Sequence, residues 1–379
     1  MREGWEIKTL GELAVKITDG SHNPPKGIEQ SEYLMLSSQN VWNGYLDKSI
    51  ARHLSKQDFL VEDKRTCARE GDVLLTIVGT IGRTCVLTRE DMNITFQRSV
   101  CVIKPKPELN SFFLSYQLQF KNKEINEQAN GAAQKGFYLK QVERLPIAIP
   151  SLPEQQRIVA ILDREFAKID ALKANAEKSL QAAKDLFQAT LKKELEPKAG
   201  WHNTSLHSIC KSLFAGGDAP KGKISKIKTE EYSIPILSNG IGENAIYGYT
   251  TDARVFDKAI TISARGTIGY VALRESPFFP IVRLIVAIPG DDVLAEYLKH
   301  YLTTISFRSD GTAIPQLTIP MIKDFVVTYP SKEKQRSIVS LLNDLNDRCK
   351  ALQENYQKTL TLCDDLKQSL LRKAFSGEL

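Results

Sequence analysis

The chain contains an internal duplication, and this repeat limits the folds that it can adopt. Residues 131–195 align with residues 311–375 at a constant offset of 180 positions and without a gap. Eighteen of the 65 aligned positions are identical, whereas average composition would give roughly four by chance. The chain is therefore predicted to consist of two copies of one structural unit. The identical pairs include Gly131/Gly311, Pro150/Pro330, Ser151/Ser331, Gln155/Gln335, Ile158/Ile338, Leu172/Leu352, Asp185/Asp365 and Gln188/Gln368.

Shorter matches extend the repeat toward the start of each copy. The tetrapeptide Gly-Thr-Ile-Gly occurs at residues 79–82 and again at 266–269. Phe96 precedes one strand-like run, and Phe279 precedes another. The predicted order along the chain is therefore domain, helix, domain, helix.

Each copy is predicted to end in one long helix, over residues 151–197 and 331–379. Neither Gly nor Pro interrupts the first helix from Glu154 to Leu195, and Pro197 follows it. Apolar residues recur at heptad spacing, and an apolar stripe of this length must be covered. We therefore expect the two helices to pair with each other. The predicted stripe comprises Leu345, Cys349, Leu352, Tyr356, Thr359, Cys363, Leu366 and Leu370 in the second helix, and Ile169, Leu172, Ala176, Ala183 and Leu186 in the first.

The two globular parts, residues 1–150 and 198–330, have a mixed pattern. Strand-like segments flank each Gly-Thr-Ile-Gly turn, at 73–78 and 83–87 and again at 259–263 and 270–273. Helical spacing follows over 111–127 and 293–306. The predicted fold class is α+β: two tandem domains with mixed twisted sheets, separated by two long helices.

Composition excludes some classes of protein without selecting one. The formal net charge of +6 permits nucleic-acid binding but does not demonstrate it. Apolar runs fall short of the roughly 20 residues that a membrane span needs, and the first residues do not resemble a signal peptide. The six cysteines are scattered and form no C-x-x-C pair, which argues against a zinc site or disulfides. We expect a cytoplasmic protein with no bound metal and no cofactor.

Two motifs of catalytic type are incomplete. Residues 217–223 match the G-x-x-x-x-G-K pattern of a phosphate-binding loop, but Ile224 replaces the hydroxyl residue that would hold Mg²⁺. Residues 23–25 match the start of the N-P-P-aromatic motif of adenine methyltransferases, but Lys26 occupies the position of the aromatic residue that stacks on the flipped base. The sequence therefore predicts no catalytic residue, although a nucleotide-using enzyme remains an alternative.

The remaining polar residues of the loops suit contacts with DNA. Lysines near a glycine-rich loop can contact phosphates, arginines beside the Gly-Thr-Ile-Gly turns can bind guanine or phosphate, and side-chain amides suit adenine edges. An exposed lysine surface and a tight hairpin with an exposed arginine are the simpler interpretations of the same residues. The predicted DNA-binding residues are Ser21, His22, Lys26, Gln39, Asn40, Arg83, Gln97, Arg98, Lys221, Lys223, Asn239, Arg265 and Thr267.

Over nearly its whole length the chain resembles the specificity subunit of type I restriction–modification enzymes. The resemblance depends on residues 18–22 (Thr-Asp-Gly-Ser-His), the repeated Gly-Thr-Ile-Gly, and the run from proline to valine within 149–159 that precedes the first helix. Residues 237–240 and 373–379 add to it. The second copy of the proline-to-valine run, at 330–339, lacks the second proline.

This resemblance implies two target-recognition domains, each reading one half of a bipartite site in double-stranded DNA. It implies that the helices form an antiparallel coiled coil, which acts as a spacer and as the platform for two methyltransferase subunits. Those partners would bind S-adenosylmethionine and methylate adenine, and restriction subunits would join the larger complex. The resemblance assigns no base-reading residue. The alternative is a non-catalytic coiled-coil scaffold that assembles proteins without reading DNA.

Overall fold

The computed structural model describes residues 4–130, 136–275, 277–305, 307 and 316–379. The chain divides into two compact units, Met1–Ala176 with Gln357–Leu379, and Glu177–Tyr356. Each unit therefore contains one globular domain and part of each long helix. Of the residues used in the sequence analysis, Gly131, Gly311 and Ser306 lie outside the described ranges.

Eleven strands and five short helices build the described part of the first domain. The strands are β1 (Glu6–Thr9), β2 (Ala14–Asp19), β3 (Tyr33–Leu36), β4 (Val41–Trp42), β5 (Tyr45–Leu46), β6 (Arg52–Leu54), β7 (Val73–Thr76), β8 (Thr84–Val86), β9 (Ile94–Phe96), β10 (Val100–Pro105) and β11 (Pro146–Ile149). The helices are α1 (Leu10–Leu13), α2 (Lys56–Thr66), α3 (Ser111–Phe120), α4 (Asn122–Asn130) and α5 (Leu139–Glu143).

The long helix α6 (Leu152–Leu195) leads to a second domain with a similar set of elements. Its strands are β12 (His202–Ser205), β13 (Cys210–Ala215), β14 (Ile234–Leu237), β15 (Ile246–Thr250), β16 (Ala259–Ile262), β17 (Val271–Arg274), β18 (Phe279–Pro280), β19 (Ile285–Pro289) and β20 (Val326–Tyr329). Its helices are α7 (Leu206–Ile209), α8 (Ala295–Thr303) and α9 (Ile319–Ile322), with a 3-10 turn at Gly242–Ala245, before the long helix α10 (Lys332–Ser376).

The two domains share three sheets of the same topology, and the first domain has in addition the two-stranded sheet β4-β5. A four-stranded antiparallel sheet has the order β2-β10-β7-β8 in the first domain and β13-β19-β16-β17 in the second. A three-stranded mixed sheet has the order β6-β3-β9 and β15-β14-β18, with one parallel pair in each. A two-stranded ribbon, β1-β11 or β12-β20, joins the start of each domain to the segment before its long helix. The α+β class and the internal repeat are thus confirmed.

The strands beside the Gly-Thr-Ile-Gly turns are confirmed as the hairpins β7-β8 and β16-β17; β7, β8 and β16 are shorter than predicted by one or two residues, and β17 is shifted by one. The predicted helix over residues 111–127 is two helices, α3 and α4, because α3 ends at Phe120. The predicted helix at 293–306 corresponds to α8, which covers Ala295–Thr303. Helix ends depend on contacts from distant residues, so periodicity locates them only approximately.

The two long helices run antiparallel and pack together within each unit. In the first unit, Asp170 contacts Lys367 at 2.6 Å and Lys173 contacts Asp364 at 2.5 Å, so residue numbers rise along one helix as they fall along the other. In the second unit, the Cys349 thiol lies 3.3 Å from the carbonyl oxygen of Ala183. The predicted antiparallel pairing is confirmed.

The predicted apolar stripe needs correction at four leucines. Leu172 and Leu186 on α6, and Leu352 and Leu366 on α10, are exposed. On α6, Ile169 and Leu180 are buried, and Lys173 and Ala176 between them are partly buried. The buried face of this helix therefore passes through the residue next to Leu172 and the residue next to Leu186, and not through the two leucines. Heptad spacing alone does not choose between adjacent faces of a helix; the packed partner does.

The core of each unit combines one face of the four-stranded sheet with the paired helices. In the first unit, Ile158, Leu162 and Phe166 of α6 join the cluster that includes Phe113 and Leu371.

The thiols of Cys85 and Cys210 are largely buried, and burial raises the pKa of each to about 12. These thiols are therefore protonated, as befits cysteines that fill space in a core. Within the described ranges, no helix is both long enough and apolar enough to cross a bilayer.

Candidate nucleic-acid interface

In the first domain, three loops meet where β2, β7 and β9 end. The loop after β2 lies against the turn after β9: the Ser21 amide donates to the Phe96 carbonyl (2.8 Å), and the Arg98 amide donates to the Ser21 carbonyl (2.8 Å). Gly20 permits this approach, because a side chain there would overlap the Phe96 carbonyl. The loops enclose a cleft of about 340 Å³, here called the first cleft, which is lined by Asp19, His22, Ile77, Val78, Arg98, Tyr138, Leu139 and Lys140.

A charged cluster fixes the shape of the loop after β2. Asp19 is buried, and its carboxylate accepts hydrogen bonds from the Arg65 guanidinium and from His22 Nε2, the latter at 2.9 Å. The Arg65 Nε also donates to the Asp19 backbone carbonyl at 2.9 Å. A buried carboxylate requires such partners. The motif Thr-Asp-Gly-Ser-His thus builds the wall of the cleft.

The second domain has a cleft at the equivalent place. The Val282 amide donates to the Gly217 carbonyl (2.9 Å), and the Arg283 amide donates to the Gly216 carbonyl (3.0 Å). Gly216 has the role of Gly20, because a Cβ on it would lie 2.7 Å from the carbonyl carbon of Pro280. This second cleft has a volume of about 530 Å³ and is lined by Ala215, Gly216, Gly217, Asp218, Ala219, Tyr247, Arg265, Ile281, Val282 and Arg283.

Equivalent loops, those after β2 and β13, β7 and β16, and β9 and β18, contribute to both clefts, whereas residues 138–140 line only the first and Tyr247 only the second. Pairing of β3 with β9 and of β14 with β18 makes Phe96 equivalent to Pro280, and hence Arg98 equivalent to Val282. The Gly-Thr-Ile-Gly turn follows Val78 in one domain and Arg265 in the other. The repeat thus conserves the frame of the cleft and varies its lining.

The structure places the predicted residues of the first domain in three groups. His22 and Arg98 line the first cleft, and Ser21 and Gln97 pair across its floor. Lys26 and Gln39 are exposed on neighbouring loops outside the lining. Asn40 and Arg83 contact other groups of the protein itself.

Asn40 is almost fully buried, accepts from the Ser37 amide at 2.8 Å and donates to the Asp47 carbonyl at 2.9 Å. Its amide supports the loop, and in this structure it is not presented to a ligand. The Arg83 guanidinium lies 3.8 Å from the centre of the Trp42 ring, beside a different cavity bounded by the β4-β5 hairpin, α3 and the paired helices. Sequence position alone could not separate these two from the residues of the cleft.

In the second domain, Arg265 lines the second cleft and hydrogen-bonds to Gln316 at 2.7 Å, and Thr267 is exposed on the adjacent turn. Lys221 is exposed, and Lys223 forms an exposed ion pair with Asp252 at 3.0 Å. Asn239 donates to the Val282 carbonyl and accepts from two backbone amides, so both ends of its side chain bind the protein itself.

Sequence reasoning missed four residues that the fold brings to the clefts or their walls: Arg65, Lys140, Tyr247 and Arg283. Arg65 and Lys140 lie far from residues 18–22 along the chain, and nothing in their neighbourhood marks them. Tyr247 is exposed, with the Lys226 ammonium 3.8 Å from its ring centre. Lys226 belongs to the lysine-rich segment 221–228, and a lysine can pair with an aromatic ring through a cation–π interaction. This segment is the sequence feature that could have pointed to Tyr247.

The incomplete phosphate-binding loop does not have the geometry of its motif. Gly217 follows β13, but the described residues between β13 and β14 contain no helix. A phosphate-binding loop requires a helix whose N-terminus faces the phosphates. Within the described ranges, no group of three or more His, Cys, Asp or Glu side chains is placed to hold a metal ion.

Comparison with known proteins gives one family. The model of the type I restriction modification DNA specificity domain matches residues 2–182 and 198–362, once for each copy of the repeat. A Mycoplasma pneumoniae protein that carries the name of a type I specificity subunit is 32% identical over 251 residues, which are 63% of this chain and 73% of the relative. The specificity subunit of the EcoKI restriction enzyme of Escherichia coli K12 is 23% identical over all of this chain and 89% of its own length.

Solved structures share the fold. A chain from a structure of the assembly and conformational transition of a type I restriction–modification system matches with a TM-score of 0.78 at 18% identity, over 100% of this chain and 99% of that one. The HsdS subunit from Thermoanaerobacter tengcongensis matches with a TM-score of 0.61 at 17% identity, over 100% and 98% of the two chains. The repeat, the fold and the family match agree: the chain belongs to the DNA specificity subunits of type I restriction–modification systems.

Proposed function

We propose that the two domains, residues 1–150 and 198–330, each recognise one half of a bipartite DNA site through their clefts. The observation that supports this most is that equivalent loops form both clefts while their linings differ. A frame that is kept while its side chains vary suits two half-sites of different sequence. Exposed cations line both clefts: Arg98 and Lys140 in the first, Arg265 and Arg283 in the second.

Ten of the thirteen predicted contact residues fall into two classes under this proposal; Asn40, Arg83 and Asn239 have partners within the protein and belong to neither. His22, Arg98, Gln97 and Arg265 belong to the clefts and suit base or phosphate contacts, and Ser21 positions the first cleft. Lys26, Gln39, Lys221, Lys223 and Thr267 lie on surrounding loops and suit phosphate contacts, which set affinity without reading sequence.

Exchange of one domain tests this assignment. Residues 1–150 are replaced by the corresponding domain of another member of the family, and the sites methylated by the assembled complex are sequenced. We expect a change in one half-site and none in the other. A change in both halves would contradict the modular recognition.

We further propose that the paired helices, over 151–197 and 331–379, bind two methyltransferase subunits at equivalent places. Leu172 and Leu366 are exposed in the first unit, and Leu352 and Leu186 are exposed in the second. The offset of 180 relates Leu172 to Leu352 and Leu186 to Leu366. The repeat therefore presents the same pair of apolar side chains twice, as two copies of one partner require.

Glutamate substitutions test this docking surface. Leu172→Glu with Leu366→Glu is expected to remove one methyltransferase subunit, and Leu352→Glu with Leu186→Glu the other, as measured by native mass spectrometry of the complex. Leu362→Glu is the control, because Leu362 is equally exposed on α10 but corresponds to Ala182 in the repeat. Retention of both partners by the two double variants would contradict the proposal.

The chain alone is proposed to be non-catalytic and to act in the cytoplasm, with methyl transfer supplied by the partners and DNA cleavage by restriction subunits where these are present. Assays of the purified chain for methyl transfer, nuclease and ATPase activity test this. Turnover that Lys223→Ala abolishes would show that the glycine-rich loop is catalytic.

A further inference from the structure

The second cleft contains a strained turn. Val282 and Arg283 have φ angles of 52° and 59°, two consecutive residues in the left-handed region. A β-branched residue is particularly unfavourable there. Such strain persists only where the surrounding structure holds the backbone, and it is often found at functional sites.

Hydrogen bonds from two neighbouring loops hold the turn in this conformation. The backbone amides of Val282 and Arg283 donate to the carbonyls of Gly217 and Gly216. The Asn239 side chain donates to the Val282 carbonyl at 2.8 Å. The turn is therefore fixed from both sides.

Asn239 also joins the turn to the loop that carries Arg265. Its Oδ1 accepts from the Ala264 amide at 2.7 Å and from the Arg265 amide at 3.3 Å. One amide side chain thus sets the spacing between the two arginines of the cleft. In the first domain, the equivalent Ser38 makes corresponding links, since its amide donates to Ser99 Oγ at 3.0 Å and its carbonyl accepts from the Thr80 hydroxyl at 2.7 Å.

The two arginines differ in how they are engaged. The Arg265 guanidinium donates from Nε and Nη2 to the Gln316 side chain. Arg283 is exposed, and within the described part of the chain its guanidinium has neither an ion pair nor a hydrogen bond. Arg283 is thus an unneutralised cation on a rigid turn, and its five donors are available to a ligand.

We infer that Arg283 reads a guanine in the half-site bound by the second domain, and that Asn239 is the residue that positions it. This inference rests on the function proposed above. The planar fork of an arginine matches the O6 and N7 acceptors of guanine in the major groove, and such a pair discriminates strongly only when its backbone is held in place. The strained turn supplies this rigidity.

The test uses the full chain assembled with its methyltransferase subunits, and a duplex library randomised at both half-sites. Arg283→Lys keeps the charge but removes the fork. Arg283→Gly removes the side chain and suits the positive φ, so a loss of recognition would not reflect misfolding. Both variants are expected to lose preference for guanine at one position of the second half-site by about 5- to 150-fold, with the first half-site unchanged.

Asn239→Ala is expected to weaken the preference at the same position, while binding to non-specific DNA stays the same. A purely structural defect would weaken binding to all sequences alike. Lys211→Ala is the control, because Lys211 lies at the start of β13, away from the cleft, and pairs with Asp257 at 3.4 Å.

The possible outcomes distinguish a failure of this inference from a failure of the proposed function on which it rests. A wild-type complex without a two-part sequence preference would overturn the proposed function. A wild-type complex with that preference, together with an Arg283→Gly variant that keeps it in full, would overturn only the role of Arg283. A uniform loss of affinity across all sequences, with a smaller dependence on salt, would identify Arg283 as a phosphate contact and would also overturn the inference.

Discussion

Gln155 and Gln335 lie 180 residues apart and make the same set of hydrogen bonds. The Gln155 side chain donates to the carbonyls of Glu108 and Pro150 and accepts from the Asn110 amide, at 2.8 to 2.9 Å. Gln335 donates to the carbonyls of Asp292 and Pro330 and accepts from the Leu294 amide, at 2.8 to 3.0 Å. Both are fully buried. Each glutamine therefore joins a long helix to its domain by binding three backbone groups, of which the proline carbonyl lies in a buried hydrogen bond and the other two in part-buried ones.

Gln155→Ala and Gln335→Ala are each expected to lower the free energy of unfolding by about 2 to 4 kcal/mol, because one buried and two part-buried backbone groups lose their partner and the buried side chain leaves a cavity. Gln156→Ala is the matched control, since Gln156 is the exposed neighbour on the same helix and its loss should cost under about 0.5 kcal/mol. Urea unfolding measures the differences. Equal stability of Gln155→Ala and Gln156→Ala would show that the network contributes little.

Gly216→Ala is expected to destabilise the second domain by about 2 to 4 kcal/mol, because the new methyl group would overlap the backbone of Pro280 and Ile281. Gly217→Ala should have a much smaller effect, since the nearest atom to its Cβ is the Arg254 Nη1 at 3.5 Å. Thermal unfolding of the two variants compares adjacent glycines directly. A larger loss for Gly217→Ala would contradict the close approach of the two loops at Gly216.

His300 is expected to make stability depend on pH. It is buried on α8, its Nε2 lies 3.2 Å from Asn343 Oδ1, and burial lowers its pKa to about 4. Between about pH 4 and pH 6.5, His300 is therefore neutral in the folded state but protonated in the unfolded chain. The contribution of His300 to the free energy of unfolding is fully present above pH 6.5 and is lost as the pH falls toward 4. At pH 5 the loss is about 2 kcal/mol.

Urea unfolding at pH 7 and at pH 5 measures this loss. His300→Gln keeps a hydrogen-bonding side chain of similar size and does not titrate, so its stability should change less over the same interval. An identical pH dependence in the wild type and the variant would assign the effect to other groups.

Lengthening both helices is expected to lengthen the preferred spacer between the half-sites. Four residues are inserted between Ala176 and Glu177 and four between Tyr356 and Gln357, where the chain passes from one unit to the other. Four helical residues add about 6 Å, which equals one to two base-pair steps of about 3.4 Å. Insertion into α6 alone is the comparison, since it leaves the two helices unequal in length.

A duplex library with fixed half-sites and variable spacers measures the preference. Both half-site sequences should stay the same, because neither domain is altered. A doubly lengthened variant that binds DNA with the original spacer would show that the helices do not set the distance.

Much of the architecture could be predicted from the sequence, because it depends on local patterns. The repeat predicted two similar domains, and uninterrupted helical spacing predicted α6 and α10. The Gly-Thr-Ile-Gly tetrapeptides marked two hairpins. Each signal lies within a continuous stretch of chain, where backbone preference and periodicity act directly.

Only the tertiary structure decided which side chains meet. Heptad spacing predicted that Leu172 would be covered, yet it is exposed, because the face that α10 covers depends on how the two helices dock. The sequence did not show that the Asn239 amide is held by the backbone of Val282, Ala264 and Arg265; its contact with DNA stays a prediction. No sequence feature marked Arg283. It reaches the cleft because its loop pairs with the loop of Gly216, more than 60 positions earlier in the chain. Burial and hydrogen bonding between distant segments are set by the whole fold, so no local pattern in the sequence encodes them.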